Sequence, residues 1–166
     1  MLNLQDVERD LDNLHRTQAI LDRVVSEAEA DGVFLVDNDG FLVAEAGEIE
    51  NDRVALAALI AASFGATAEV ARILGEAAFN KLTHQGENTS LFVIKAGERH
   101  ILIVVFGSET NLGLVKLYAE QASDALGEFL DAPEESKKEG EEESGEEGEQ
   151  GEGMFPAWLD GNEDKE

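Results

Sequence analysis

Residues 89–106, TSLFVIKAGERHILIVVF, hold two apolar runs separated by Ala96-Gly97-Glu98. In Thr89 to Lys95, Leu91 and Val93 alternate with Ser90, Phe92 and Ile94, as in a part-buried strand. Ile101 to Phe106 is apolar at every position, which predicts a central strand covered on both faces. The link between the runs suits a hairpin, so the two strands pair antiparallel. Ahead of them, Ala78 to His84 reads as a polar strand turning through Gln85-Gly86-Glu87. Val33 to Asp37 and Phe41 to Ala46 read as two more strands, joined through Asn38-Asp39-Gly40, where Asp and Gly tolerate the positive φ of a tight turn.

Three helices complete the pattern. Asn3 can cap the first, in which Leu4, Val7, Leu11, Leu14, Leu21, Val25 and Ala28 recur at helical spacing until Gly32 breaks it. The second runs from Asp52 or Arg53 to Gly75, and Thr110 or Asn111 caps the third, with Leu112, Val115, Ala119, Ala122, Leu126 and Phe129 in one stripe. The order αββαβββα predicts an α+β fold. It is an α/β/α sandwich with a five-stranded antiparallel sheet, two helices on one face and one on the other.

The chain has 166 residues, with 37 acidic against 12 basic and a formal charge of −25. Such acidity disfavours nucleic acid and anionic membrane surfaces as direct partners. No uninterrupted apolar run approaches the roughly 20 residues that span a bilayer. Zero cysteines exclude disulfides and thiolate metal sites and fit a cytoplasmic location. Composition breaks after Ala132, giving a domain over 1–132 and an acidic tail over 133–166 that carries −11 of the charge. The tail reads as disordered. Near its end, residues 154–159 place Met154, Phe155, Trp158 and Leu159 together, which reads either as a plain mobile tail end or as a short docking motif on a tether.

The fifteen residues between Arg53 and Glu69 carry no charge. On a helical wheel the second helix separates a large half, Leu56, Leu59, Ile60, Phe64, Val70, Ile73 and Leu74, from a small half. The small half holds Ala58, Ala61, Ala62, Gly65, Ala68, Glu69 and Arg72. The large half is expected to face the sheet. The small half would let another backbone approach closely. Five strands make a sheet about 24 Å wide, which a single helix about 10 Å across cannot cover. A second subunit or another partner is therefore expected over this side.

Catalytic signatures are missing. There is no phosphate loop, dinucleotide fingerprint, nucleophile elbow or HExxH pair. His15, His84 and His100 are scattered, and Asp37 to Gly40 lacks the later ligands of a calcium loop, so it is read as a turn. No catalytic, metal or cofactor site is expected. Arg72, as the one cation on the small half, could serve as an arginine finger, but a recognition contact or a pair with Glu69 is favoured.

With these elements placed, the chain resembles the Roadblock/dynein light chain family, in its MglB-like branch of bacterial regulators. The resemblance rests on GVFLVDNDGFLVAEAG at 32–47, ALAALIAASFGATAEVARILGEAAF at 55–79, HQGENTSLFVIKAGERHILIVVF at 84–106 and TNLGLVKLYAEQASDAL at 110–126. It implies a homodimer that joins third strands edge to edge and brings the two second helices together. Phe79, Asn80, Lys81, Leu82, Thr83 and His84 would then form the pairing edge. It further implies binding to a Ras-like small GTPase of the MglA type, acceleration of its GTP hydrolysis by reshaping its switch region, and a role in cell polarity or gliding motility. GTP and magnesium would belong to that partner. The alternative is a scaffold that dimerises and positions a GTPase or another protein without activating it.

Overall fold

The computed structural model describes residues 3–132; the expected docking motif at 154–159 lies outside them. The chain forms α1 (Leu4–Ala28), β1 (Gly32–Asp37), β2 (Leu42–Gly47), α2 (Arg53–Leu74), β3 (Lys81–Gln85), β4 (Thr89–Ala96), β5 (His100–Gly107) and α3 (Leu112–Leu130). The five strands make one sheet in the order β2-β1-β5-β4-β3. All its pairings are antiparallel. This is the expected αββαβββα sandwich.

Strand β5 organises the two cores. Leu102, Val104 and Phe106 point to the side where Leu21, Val24 and Ala28 of α1 and Val115, Ala119, Ala122 and Leu126 of α3 are buried. Ile101, Ile103 and Val105 point to the other side, against Ala57, Ile60, Ala61 and Phe64 of α2. Helices α1 and α3 lie antiparallel. The Arg16 guanidinium sits 4.4 Å from the centre of the Phe129 ring at one end. At the other, the Thr110 hydroxyl donates to the Glu29 carbonyl at 2.9 Å.

Local signals act as their chemistry dictates. The side chains of Asn3, Asp52 and Asn111 accept from the backbone N–H groups of Gln5, Ala55 and Gly113, satisfying donors that a helix start leaves orphaned. The Asp37 carboxylate accepts from the N–H of Asp39 at 3.0 Å and of Phe41 at 2.9 Å, so this acidic segment is a turn. Gly40 closes that turn at φ 93°, where a Cβ would come within 2.9 Å of the Ala58 Cα. The turn and α2 thus touch through two residues that have almost no side chain.

Three boundaries or faces differ from the sequence expectation. Helix α1 ends at Ala28, four residues before Gly32, because Glu29 adopts a left-handed conformation at φ 53° and its N–H bonds the Val25 carbonyl. Strand β3 begins at Lys81, not Ala78; only the Asn80 carbonyl joins early, accepting from Lys95 at 3.0 Å. Ala78 to Asn80 instead carry the chain down from the end of α2.

The third difference is the orientation of α2. Its buried residues are Ala57, Ile60, Ala61, Phe64 and Ala71. Leu59, Val70, Ile73 and Leu74, expected in the core, are exposed. Three alanines on the inward face bring the helix close to the sheet, and Ile60 and Phe64 fill the remaining space. A face of uniformly large residues would hold the helix farther off and leave the short β1–β2 turn without its contact. Because the approach is this close, Ala57→Leu overpacks the layer and lowers unfolding free energy by about 1–3 kcal/mol in urea titrations. An unchanged urea midpoint would show that α2 is not held this tightly.

Candidate interaction site

Helix α2 is the only described helix long and apolar enough, by length and composition, to cross a bilayer, yet it packs one side on a polar-edged sheet. Only 28% of its apolar window is buried. An apolar helix with so little cover leaves a continuous hydrophobic strip in water, and such a strip marks an interaction surface. Leu59, Ala62, Ala66, Val70 and Ile73 make up that strip, on the side opposite the buried face.

The small half lies along one flank of the helix. Ala58, Ala62, Gly65, Ala68, Glu69 and Arg72 are exposed. Ala61 is not: it is 4% exposed and belongs to the core under α2, which corrects its place on the free surface. The reason is angular, since Ala61 sits one turn from Ala57 and Phe64 on the inward side. Gly65 meets none of the described residues within 4 Å of where a Cβ would stand, so among them the flank is open there.

A groove of about 230 Å³ runs along this flank. Ala61, Phe64, Gly65 and Ala68 form its helix wall, and Ala78, Phe79 and Asn80 its opposite wall. The structure therefore brings together two sets of residues that the sequence placed on separate surfaces, the small helix face and the start of the edge segment. Phe79 is a wall of the groove and lies outside the strand.

The rest of the edge segment is β3, which among the described residues pairs with β4 alone, so no described strand pairs with the N–H and C=O groups of its outer rim. Leu82 opposes Val93 and His84 opposes Leu91, placing both on the α2 side. Lys81 and Thr83 face the other side, and Lys81 Nζ lies 2.5 Å from a Glu120 carboxylate oxygen of α3. The edge thus shows Leu82 and His84 toward α2, and the Lys81 ammonium paired with Glu120 toward α3. On the exposed flank Arg72 donates to Glu69 Oε1 from Nε at 2.9 Å and from Nη2 at 2.7 Å, and to Oε2 from Nε at 3.1 Å. That bond raises the Arg72 pKa further above an already high value, so this side chain is a permanent cation. At the start of α2, Arg53 pairs with Glu45 of β2.

No group of three or more acidic or histidine side chains among the described residues is arranged to hold a metal. His15 and His84 are exposed, and His100 opens β5 in register with Asp37. Burial and the adjacent Arg99 guanidinium lower the His100 pKa, against the pull of Asp131 and Asp37. Its Nδ1 is buried and has no hydrogen-bond partner among the described residues.

The strip Leu59–Ile73 escaped the sequence reading because the wheel assigned every large residue inward. The signal that locates the true core face is the series Ala57, Ile60, Ala61, Phe64, Ala71 at steps of three, one, three and seven. Its mixture of sizes hides it in a helix that is apolar nearly all round.

The Roadblock/LC7 domain profile matches residues 16–106. The structure of Myxococcus xanthus MglB is 37% identical to this chain, with a TM-score of 0.68 over 71% of this chain and 97% of that one. The gliding protein MglB of Thermus thermophilus is 34% identical, with a TM-score of 0.68 over 73% and 93%. An MglB structure with a tetrameric arrangement is 33% identical, with a TM-score of 0.67 over 72% and 90%.

Two outcomes follow from the geometry. Gly65→Arg reaches into open space, so it leaves the circular dichroism spectrum and melting temperature of the subunit intact while blocking the groove. Ala61→Arg forces a charge into the core beneath α2 and destabilises the subunit by at least about 2 kcal/mol; equal stability of the two variants would contradict this orientation of α2. A lowered folded pKa means that the unfolded chain binds a proton more readily than His100 does. Its contribution to stability is therefore full above about pH 6.5 and is lost as pH falls toward the folded value. Melting curves of His100→Gln, compared with the wild type, should show a shallower loss below pH 6.5, and parallel losses would refute it.

Proposed function

The chain belongs to the Roadblock/LC7 family, and from that premise we propose that it is an MglB-like regulator without a catalytic centre of its own. In this reading two copies pair through the α2 surface and the β3 edges. The homodimer binds a Ras-like small GTPase of the MglA type in its GTP form and accelerates hydrolysis. GTP and magnesium are the partner's. The setting is cytoplasmic, and the output is cell polarity or gliding motility. The observation that carries the proposal is the uncovered apolar α2 beside an unpaired strand edge, in a chain that aligns with 97% of Myxococcus MglB at 37% identity.

The physical logic is local. Burying apolar surface on α2 contributes about 25 cal/mol per Å² removed from water. The free N–H and C=O groups of β3 supply directional pairing that sets the register of the second copy. Ala58, Ala62, Gly65 and Ala68 permit close approach on one flank, while Glu69 and Arg72 offer charged contacts at its end. A non-activating scaffold is the second reading. It is favoured by one observation: Arg53 and Arg72, the cations of α2, are both engaged in ion pairs within the subunit, so neither is poised as an arginine finger and activation would rest on reshaping the switch region alone.

Single-turnover phosphate release from the GTP-loaded partner separates the two. Activation predicts a rate that rises with added protein and saturates, and Gly65→Arg abolishes the increase. Binding in a pull-down with unchanged turnover at saturating protein would leave the scaffold and remove the activator. Absence of binding to Ras-like GTPases would remove the activator and leave only a scaffold for another protein.

A further inference from the structure

Helix α1 is longer than the layer it helps to build. Its buried residues are Thr17, Leu21, Val24 and Ala28, all in its second half. Helix α3 comes to its end beside Arg16, where Phe129 lies under the guanidinium. The first three turns of α1 therefore run on past α3. There Leu4 is 80% exposed, Val7 37%, Leu11 51% and Leu14 55%. A free helix of about a dozen residues is marginal in water, and one with an apolar stripe gains from a partner laid along that stripe. The stripe also precedes residues 16–106 that match the family profile.

The steps between these residues are three, four and three, the a and d positions of two heptads. Leu4 and Leu11 occupy a, and Val7 and Leu14 occupy d. The same register puts Asn3 and Asp10 at g, and Glu8 and His15 at e. In a parallel pair, each g residue meets the e residue five positions on in the other helix. Asp10 then meets His15 of the second copy, and Asn3 meets Glu8, so no like charges oppose each other. Antiparallel pairing would instead set Glu8 against Glu8 and Asp10 against Asp10.

We propose that Leu4–Leu14 of α1 pairs with the same segment of a second copy as a short parallel coiled coil. The contact uses neither α2 nor β3 and stands independently of the function proposed above. Were a chain to pair also through α2, it would carry two self-complementary contacts on opposite layers and would assemble beyond a dimer. Four side chains per copy bury far less than the ~1,200 Å² of the smallest stable interfaces, so the pairing is weak by itself and is best trapped covalently.

The absence of native cysteine makes a single introduced thiol a clean reporter. In the full-length chain, Leu11→Cys places two thiols face to face at paired a positions. Asp12→Cys places them on the outer, solvent side of the coil. With oxidised glutathione, Leu11→Cys should yield disulfide dimer at least about tenfold faster than Asp12→Cys. Adding Leu4→Glu to Leu11→Cys should suppress that advantage. Similar rates at the two positions overturn the proposal, as does a full advantage retained with Leu4→Glu. Failure of both single variants to cross-link overturns it as well, and is the outcome expected if the chain's own carboxyl-terminal segment covers the stripe.

Discussion

A strand that is apolar on both faces cannot have water on either. That is the constraint β5 imposes, with Leu102, Val104 and Phe106 toward one side and Ile101, Ile103 and Val105 toward the other. Its central place, between β1 and β4, forces a helical layer on each face. Two antiparallel helices, α1 and α3, close one side. Among the described residues the other is left to α2 alone, and the asymmetry of the fold begins there.

Being alone, α2 must do two things that pull in opposite directions. It has to lie close enough to the sheet to exclude water, which selects Ala57, Ala61 and Ala71 for its inward face. It also has to carry the large residues displaced from the core, Leu59, Val70 and Ile73, on its outer side. Strand β3, at the edge nearest the groove, adds unpaired backbone groups to that surface. Apolar area and directional hydrogen bonds thus converge on one side of the subunit, where Gly65 and Ala68 keep the wall of the groove low. The opposite layer carries its own unfinished feature, the striped end of α1 beyond α3.

Much of this was legible without coordinates. Capping by Asn3, Asp52 and Asn111, the Asp37–Gly40 turn, the element order and the dual-faced β5 all depend on interactions between residues close in sequence or on a simple period. The α2 face was not legible. Angular bias sorts a helix into inside and outside only when polarity varies around it, and α2 is apolar nearly all round. Size is no substitute for polarity there, because Leu59, Val70 and Ile73 face outward while Ala57, Ala61 and Ala71 face the sheet. The start of β3 was misjudged for a related reason: Ala78, Phe79 and Asn80 have strand-like character, but the descent from the end of α2 takes them out of the ladder.

The order of helices and strands, the two-sided burial of β5 and the membership of the family were therefore written in the chain, because each follows from local chemistry or from a pattern that survives without knowledge of distance. Which side of α2 turns inward, and hence that Ala61 is core while Leu59 is surface, was decided only by the packed structure. The distance between helix and sheet is set by all the layers at once, together with the contact between Gly40 and Ala58, and no window of sequence contains that distance.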